Sequence, residues 1–129
     1  MGKSLKKKTV AVWGLAFKPR TDDMREAPAV PIIKGLLERG AKVQAYDPEA
    51  MPVAKNIFGS KISFTKTAYA ALKGADVLLI VTEWNEFREP DFEKMKTLMT
   101  HHVILDGRNI YQPAAVRAAG FTYASIGRP

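Results

Sequence analysis

Side chains able to grip an anion gather in two short stretches of this 129-residue chain. The first is Lys18-Pro19-Arg20-Thr21-Asp22-Asp23-Met24-Arg25-Glu26, where three cations stand among three carboxylates. The second is Leu105-Asp106-Gly107-Arg108-Asn109, where a short apolar run stops at an aspartate and turns at a glycine before the arginine. A lysine offers a compact positive point; an arginine offers a planar fork of donors suited to a phosphate or a flat base. Hydrogen bonds of this charged kind contribute about 1.5–3 kcal/mol each. Each stretch also has a plainer reading, a network of loop ion pairs in the first and a turn with a surface arginine in the second. A third stretch, Thr82-Glu83-Trp84-Asn85-Glu86-Phe87, carries two aromatic rings that either pack locally or stack on a ligand.

Other chemistries lack their residues. The chain has no cysteine, so it offers no disulfide, no thiolate metal ligand and no thiol nucleophile. His101 and His102 are adjacent just ahead of an apolar run, where neighbouring side chains point to opposite faces, so a shared metal is not expected. A dinucleotide fingerprint needs several glycines in a G-x-G-x-x-G pattern to bring backbone amides to a pyrophosphate. Only Gly14 of that pattern is present, which makes the first loop a poor NAD site. Asp47 could imitate the ribose-binding acid of such folds. It lies well beyond the roughly 20-residue spacing of that motif, and an Asp-Pro turn closing a strand explains it better.

The elements that must position these loops follow from periodicity. Thr9–Phe17, Lys42–Tyr46, Ile62–Thr65, Asp76–Thr82, Val103–Leu105 and Phe121–Ile126 read as strands, the fourth holding five consecutive apolar residues suited to burial on both faces. Between them, Ala29–Arg39 sets Ile32, Ile33, Leu36 and Leu37 on one helical face and ends at Gly40. Ala50–Ile57, Ala68–Lys73, a helix capped by Asp91 with Phe92, Met95, Leu98 and Met99 inward, and Pro113–Ala119 complete the alternation. Each parallel crossover needs a helix-length connection. The expectation is therefore an α/β, Rossmann-like, doubly wound, mostly parallel sheet of about six strands with helices on both faces. Ligands of such sheets bind beyond the carboxyl ends of the strands, where the strand order reverses. The loops after Phe17, Asp47, Thr82 and Leu105 all belong to that edge.

Composition sets the outer limits. Hydrophobic residues at 47% and charged residues at 26% are ordinary for one soluble globular domain, here residues 9–129. Residues 1–8 read as a basic leader, solvated and frayed, and as a new start set just ahead of the first strand. Neither a membrane-length apolar run nor a signal peptide is visible, so a cytoplasmic location is the default. The net charge of +7 suits an acidic small-molecule ligand. A nucleic-acid surface would interleave aromatics with the basic residues or carry them on a helix, and the leader does neither.

The strings VAVWGLAFKPRTDDMREAP, YDP, TEWNEF and LDGRN, in this order, closely resemble the C-terminal domain of the UDP-glucose/GDP-mannose dehydrogenase family. The likeness runs from about Thr9 to Gly127, and TEW with AFKP-x-TDD-x-R looks most like the UDP-glucose branch. Enzymes of that branch oxidise UDP-glucose to UDP-glucuronate with NAD as oxidant. The resemblance implies that Lys18 and Arg108 contact the UDP-sugar and that Arg25 reaches across a domain cleft to NAD. Arg20 matches no fixed position of the family. It also implies that NAD is held mainly by an N-terminal domain outside this chain, as are the catalytic cysteine with its supporting acid, lysine and asparagine. That N-terminal catalytic domain would then be this domain's partner, and an isolated chain would be a monomer with an exposed apolar patch where the partner packs.

Two alternatives stay open at this point: a free-standing module that binds a nucleotide or nucleotide sugar without chemistry, and a domain from a UDP-N-acetyl-sugar or GDP-mannose enzyme. Without a thiolate the oxidation cannot run through a thiohemiacetal. The isolated chain, mixed with UDP-glucose and NAD, is therefore expected to give no rise in NADH absorbance. A rise that scales with the amount of chain would contradict this.

Overall fold

A computed structural model describes residues 8–15, 29–82, 87–88 and 90–125. Six strands form one sheet: β1 (Thr9–Trp13), β2 (Lys42–Tyr46), β3 (Ser63–Phe64), β4 (Val77–Ile80), β5 (Val103–Asp106) and β6 (Thr122–Ser125). Four α-helices connect them: α1 (Ala29–Glu38), α2 (Met51–Phe58), α3 (Phe92–Leu98) and α4 (Pro113–Ala118). The spatial order is β3-β2-β1-β4-β5-β6, and every pairing is parallel. The order reverses between β1 and β4, which places the topological switch point at the carboxyl ends of those two strands.

The sheet is buried on both sides because alternate residues feed two separate cores. Val10, Val12, Val43, Ala45 and Val77 pack with Ala29 and Ile33 of α1 and with Ala54 and Phe58 of α2. Ala11, Trp13, Leu78, Ile80, Ile104 and Tyr123 pack on the opposite face with Met95 of α3 and Val116 of α4. Trp13 is the largest side chain in this second core; its indole N–H donates to the carbonyl of Ala68 at 2.9 Å, and Phe87 stacks on it at 4.9 Å. Asp91 caps α3 by accepting from the Lys94 amide at 3.1 Å.

Local differences from the sequence expectation have physical causes. The first strand stops at Trp13, short of Phe17, because Gly14 turns the chain with φ +97°. The expected helix at 68–73 closes only as a single tight 3₁₀ turn, Ala70–Leu72. Ile32 does not join Ile33 in the core; it is 40% exposed.

Ile32 faces a strip that is open among the described residues. Here α1 and α2 cover the β1–β2 side of the sheet, whereas the same face of β5 and β6 has no helix over it among the described residues. Two hollows of about 440 and 300 Å³ share Leu105 and make one apolar strip through Ile32, Leu79, Val103 and Ala124.

The turn at Gly14 is the most sterically demanding position near the switch point. A β-carbon there would stand 2.5 Å from Thr82 Cβ and 2.6 Å from the Thr82 amide nitrogen, in a backbone conformation that side chains disfavour. Gly14→Ala is therefore expected to lower unfolding free energy by at least about 2 kcal/mol in denaturant titration. A loss below about 0.5 kcal/mol would contradict this account of the turn.

Candidate functional site

The carboxyl edge of the sheet is shaped by two buried aspartates, one just after β2 and one at the last position of β5. Parallel strands ending together leave amides of the outgoing loops in need of acceptors, and a short carboxylate can supply several at once. Asp47, with 0% exposure, follows β2. Its Oδ1 accepts from the amides of Glu49 and Ala50, both at 2.8 Å, which is the expected Asp-Pro turn. Its Oδ2 does something the sequence did not disclose: it reaches to the neighbouring strand and accepts from the Leu15 amide at 2.7 Å. The Gly14 amide is likewise engaged, donating to the Tyr46 carbonyl at 2.8 Å. The Gly14 and Leu15 amides are thus engaged inside the protein.

Asp106, 1% exposed, plays the corresponding part at the end of β5. Its Oδ1 accepts from the Arg108 amide at 2.9 Å. Its Oδ2 accepts from the amides of Ile110 at 2.8 Å and Tyr111 at 3.3 Å and from the Tyr123 hydroxyl at 2.7 Å. The Gly107 amide binds back to the Ile80 carbonyl at 2.9 Å, and Asn109 adopts the left-handed φ of +58° that such a tight loop requires. The loop's amides turn inward, and Arg108 lines the 440 Å³ hollow on the other side of the edge, with Gly107, Val81 and Ser125. Apolar walls with a few polar groups at one end, in a volume of this size, suit a small organic ligand.

Tyr111 joins this loop to the one after β4. Its hydroxyl donates to the Phe87 carbonyl, and its ring is buried beside Tyr123, with centroids 6.3 Å apart. Burial above all, then the nearby Asp106, Tyr123 and Tyr69, push the Tyr111 phenol well above its ordinary pKa of 10.0, so it remains a donor throughout the physiological range.

The edge receives the sequence-derived candidates unevenly. Arg108 stands on it, on the rim of the hollow. Lys18, Arg20 and Arg25 lie outside the described residues, as does Trp84. Phe87 is core, stacked on Trp13. The two histidines take separate partners: His101 Nδ1 lies 2.7 Å from Asp76 Oδ1, and His102 Nε2 lies 3.0 Å from the Lys96 carbonyl. The His101–Asp76 pair belongs to the amino edge of the sheet, since Asp76 Oδ2 also accepts from the Thr9 amide at 2.8 Å. Burial works to raise the Asp76 pKa; the Thr9 amide, His101 and Lys8 outweigh it and hold the group below its ordinary 3.8. Sequence reasoning missed Tyr111 and Tyr123, because nothing in a tyrosine's spacing announces that its hydroxyl meets a carboxylate from another strand.

The strand order and the switch point define a Rossmann-like domain. The family described as UDP-glucose/GDP-mannose dehydrogenase, UDP binding domain, matches residues 11–113, and the chain belongs to it. It is 45% identical over 127 residues to a UDP-glucose 6-dehydrogenase of Pseudomonas aeruginosa, covering 95% of this chain and 28% of that protein. It is 48% identical over 126 residues to the UDP-glucose 6-dehydrogenase TuaD of Bacillus subtilis, covering 98% of this chain and 27% of that one. The structure of a UDP-glucose dehydrogenase from the archaeon Pyrobaculum islandicum superposes with a TM-score of 0.78 at 33% identity, covering 94% of this chain and 26% of that one. The chain therefore spans just over a quarter of the length of the relatives it matches. No helix among the described residues is long and apolar enough to cross a membrane.

Asp47 ties the end of β1 to the turn after β2 through three backbone amides. Asp47→Ala strands three amides, two of them on buried residues, and is expected to cost at least about 2 kcal/mol of stability. It should also raise the hydrogen-exchange rate of the Leu15 amide. Unchanged exchange at Leu15 would contradict the assigned bond.

Proposed function

We propose that this chain is the nucleotide-sugar-gripping domain of a UDP-glucose 6-dehydrogenase, holding the UDP moiety at the carboxyl edge of its sheet. The single observation that carries the reading is the placement of Arg108, next to the switch point and on the rim of an apolar hollow, in a chain of this family. The relatives named as UDP-glucose 6-dehydrogenases, at 45% and 48% identity, favour UDP-glucose over other nucleotide sugars.

In this reading Arg108 and Lys18 bind the pyrophosphate and its neighbours. A UDP-sugar carries about two negative charges there, and each charged hydrogen bond contributes about 1.5–3 kcal/mol. Gripping the nucleotide end fixes where the distant sugar C6 lies, so binding energy far from the reacting atoms is spent on orientation. Arg25 is assigned to NAD, across the cleft from the dehydrogenase's own cofactor domain. NAD, when bound there, supplies the hydride acceptor; the residues of this chain hold, orient and exclude water, and none is assigned a proton-transfer step.

The open apolar strip through Ile32, Leu79, Val103, Leu105 and Ala124 fits the same reading. Among the described residues this apolar surface is half-buried at Leu79, Val103 and Leu105 and exposed at Ile32 and Ala124; we assign it as a packing face for the remaining three-quarters of such a dehydrogenase.

The test is direct. UDP binding by the chain, read by calorimetry, is expected to weaken about tenfold or more in Arg108→Ala, with the unfolding midpoint little changed. Wild-type affinity in that variant would remove Arg108 from the site.

A further inference from the structure

We infer that Asp106 and Tyr123 form a positioning pair that presets Arg108 for the nucleotide before any ligand arrives. The inference rests on the reading of Arg108 as a nucleotide contact and adds the residues that act through it.

The geometry is one-sided in an informative way. The sheet alternates, so Ile104 and Asp106 of β5 point to the face covered by α3 and α4, whereas Leu105 points to the open strip. Asp106 borders the hollow with Gly107 and Arg108, and its carboxylate is turned to the loop's amides and to Tyr123. From there its two oxygens take the amides of residues 108, 110 and 111. Gly107 is fixed separately to the Ile80 carbonyl, and a β-carbon there would approach that oxygen to 3.0 Å. A loop whose amides are drawn to one buried carboxylate has its backbone at 108 fixed, and with it the direction of the Cα–Cβ bond from which the arginine extends. Flexible long side chains lose rotamer freedom on binding, and a preset stem lowers that cost.

The carboxylate itself needs a fixed position. Three of its partners are amides of the loop it is holding, those of Arg108, Ile110 and Tyr111, which cannot locate it independently. Tyr123 can, because it belongs to β6, paired in register with β5 through Ile104↔Tyr123, and is buried at 4% exposure. Its hydroxyl donates to Oδ2 at 2.7 Å and anchors the group from the neighbouring strand. The sheet's rigidity thus passes from β6 through one O–H to the carboxylate, and from the carboxylate to Arg108. Asp106 borders the hollow, but both of its oxygens are engaged by loop amides and by Tyr123, so it and Tyr123 act as positioning residues.

The decisive comparison separates positioning from simple stability. Tyr123→Phe keeps the ring and deletes the donor. It is expected to weaken UDP binding about threefold to tenfold and to move the amide NMR signals of Arg108, Ile110 and Tyr111 without ligand. Val116→Ala opens a cavity in the same core without touching Asp106, and should lose comparable stability while keeping UDP affinity within about twofold. Wild-type affinity in Tyr123→Phe, or affinity lost in step with stability in both variants, would overturn the pair. An Arg108→Ala chain that binds UDP normally would instead remove the arginine from the site, and the pair's role with it. Should Tyr123→Phe fail to fold, hydrogen exchange on the unmodified chain decides. Slow exchange of the Arg108 and Ile110 amides without UDP supports a preset loop; fast exchange that slows only on adding UDP overturns it.

Discussion

Every strand of this sheet runs the same way, so all the strand ends meet at one edge, and that edge must satisfy the amides of the loops that leave it. Two buried aspartates meet most of this demand. Asp47 and Asp106 stand at the ends of β2 and β5, on either side of the switch point, and together they accept six backbone amides and one hydroxyl. The solution has a chemical consequence. Buried carboxylates facing inward leave the outer surface of the edge free to be cationic, and Arg108 occupies it. In the proposed reading, a chain of net charge +7 with carboxylates buried behind that edge is arranged to attract a phosphate-bearing molecule.

The same arrangement engages the first amides after β1. The fold's common pyrophosphate site uses free amides after the first strand, brought close by glycines. Here those amides are already committed, Gly14 to the Tyr46 carbonyl and Leu15 to Asp47. Gly14 is retained for a different reason: the chain passes so close to Thr82 that a β-carbon cannot fit.

Much of the fold was legible in the sequence. Alternation of short apolar runs with helical patterns dictated parallel crossovers, and all six strands form where the runs lie. Gly40, with φ +90°, ends α1 as its position after an apolar helical face suggested. Periodicity failed where a pattern shows what is apolar and not what covers it. Ile32 shares its helical face with Ile33, but that face looks partly onto the open strip, so Ile32 remains exposed. Arg108 was readable because Asp-Gly after a buried strand puts the next residue on the edge. Tyr111 and Tyr123 were not, since their role depends on hydroxyls meeting partners 24 and 17 residues away in the chain. Lys18 and Arg25, legible only through family likeness, lie outside the described residues.

The central claim is that the carboxyl edge around Arg108 is a nucleotide site, and residue-resolved NMR tests it most directly. Titrating the ¹⁵N-labelled chain with UDP-glucose, with NAD in a parallel sample, should move the signals of Gly107 to Tyr111 and of Val81 and Ser125, while NAD moves them little. Signals that stay fixed at millimolar UDP-glucose, or that move instead around Asp76 and His101 at the opposite edge, would contradict the account.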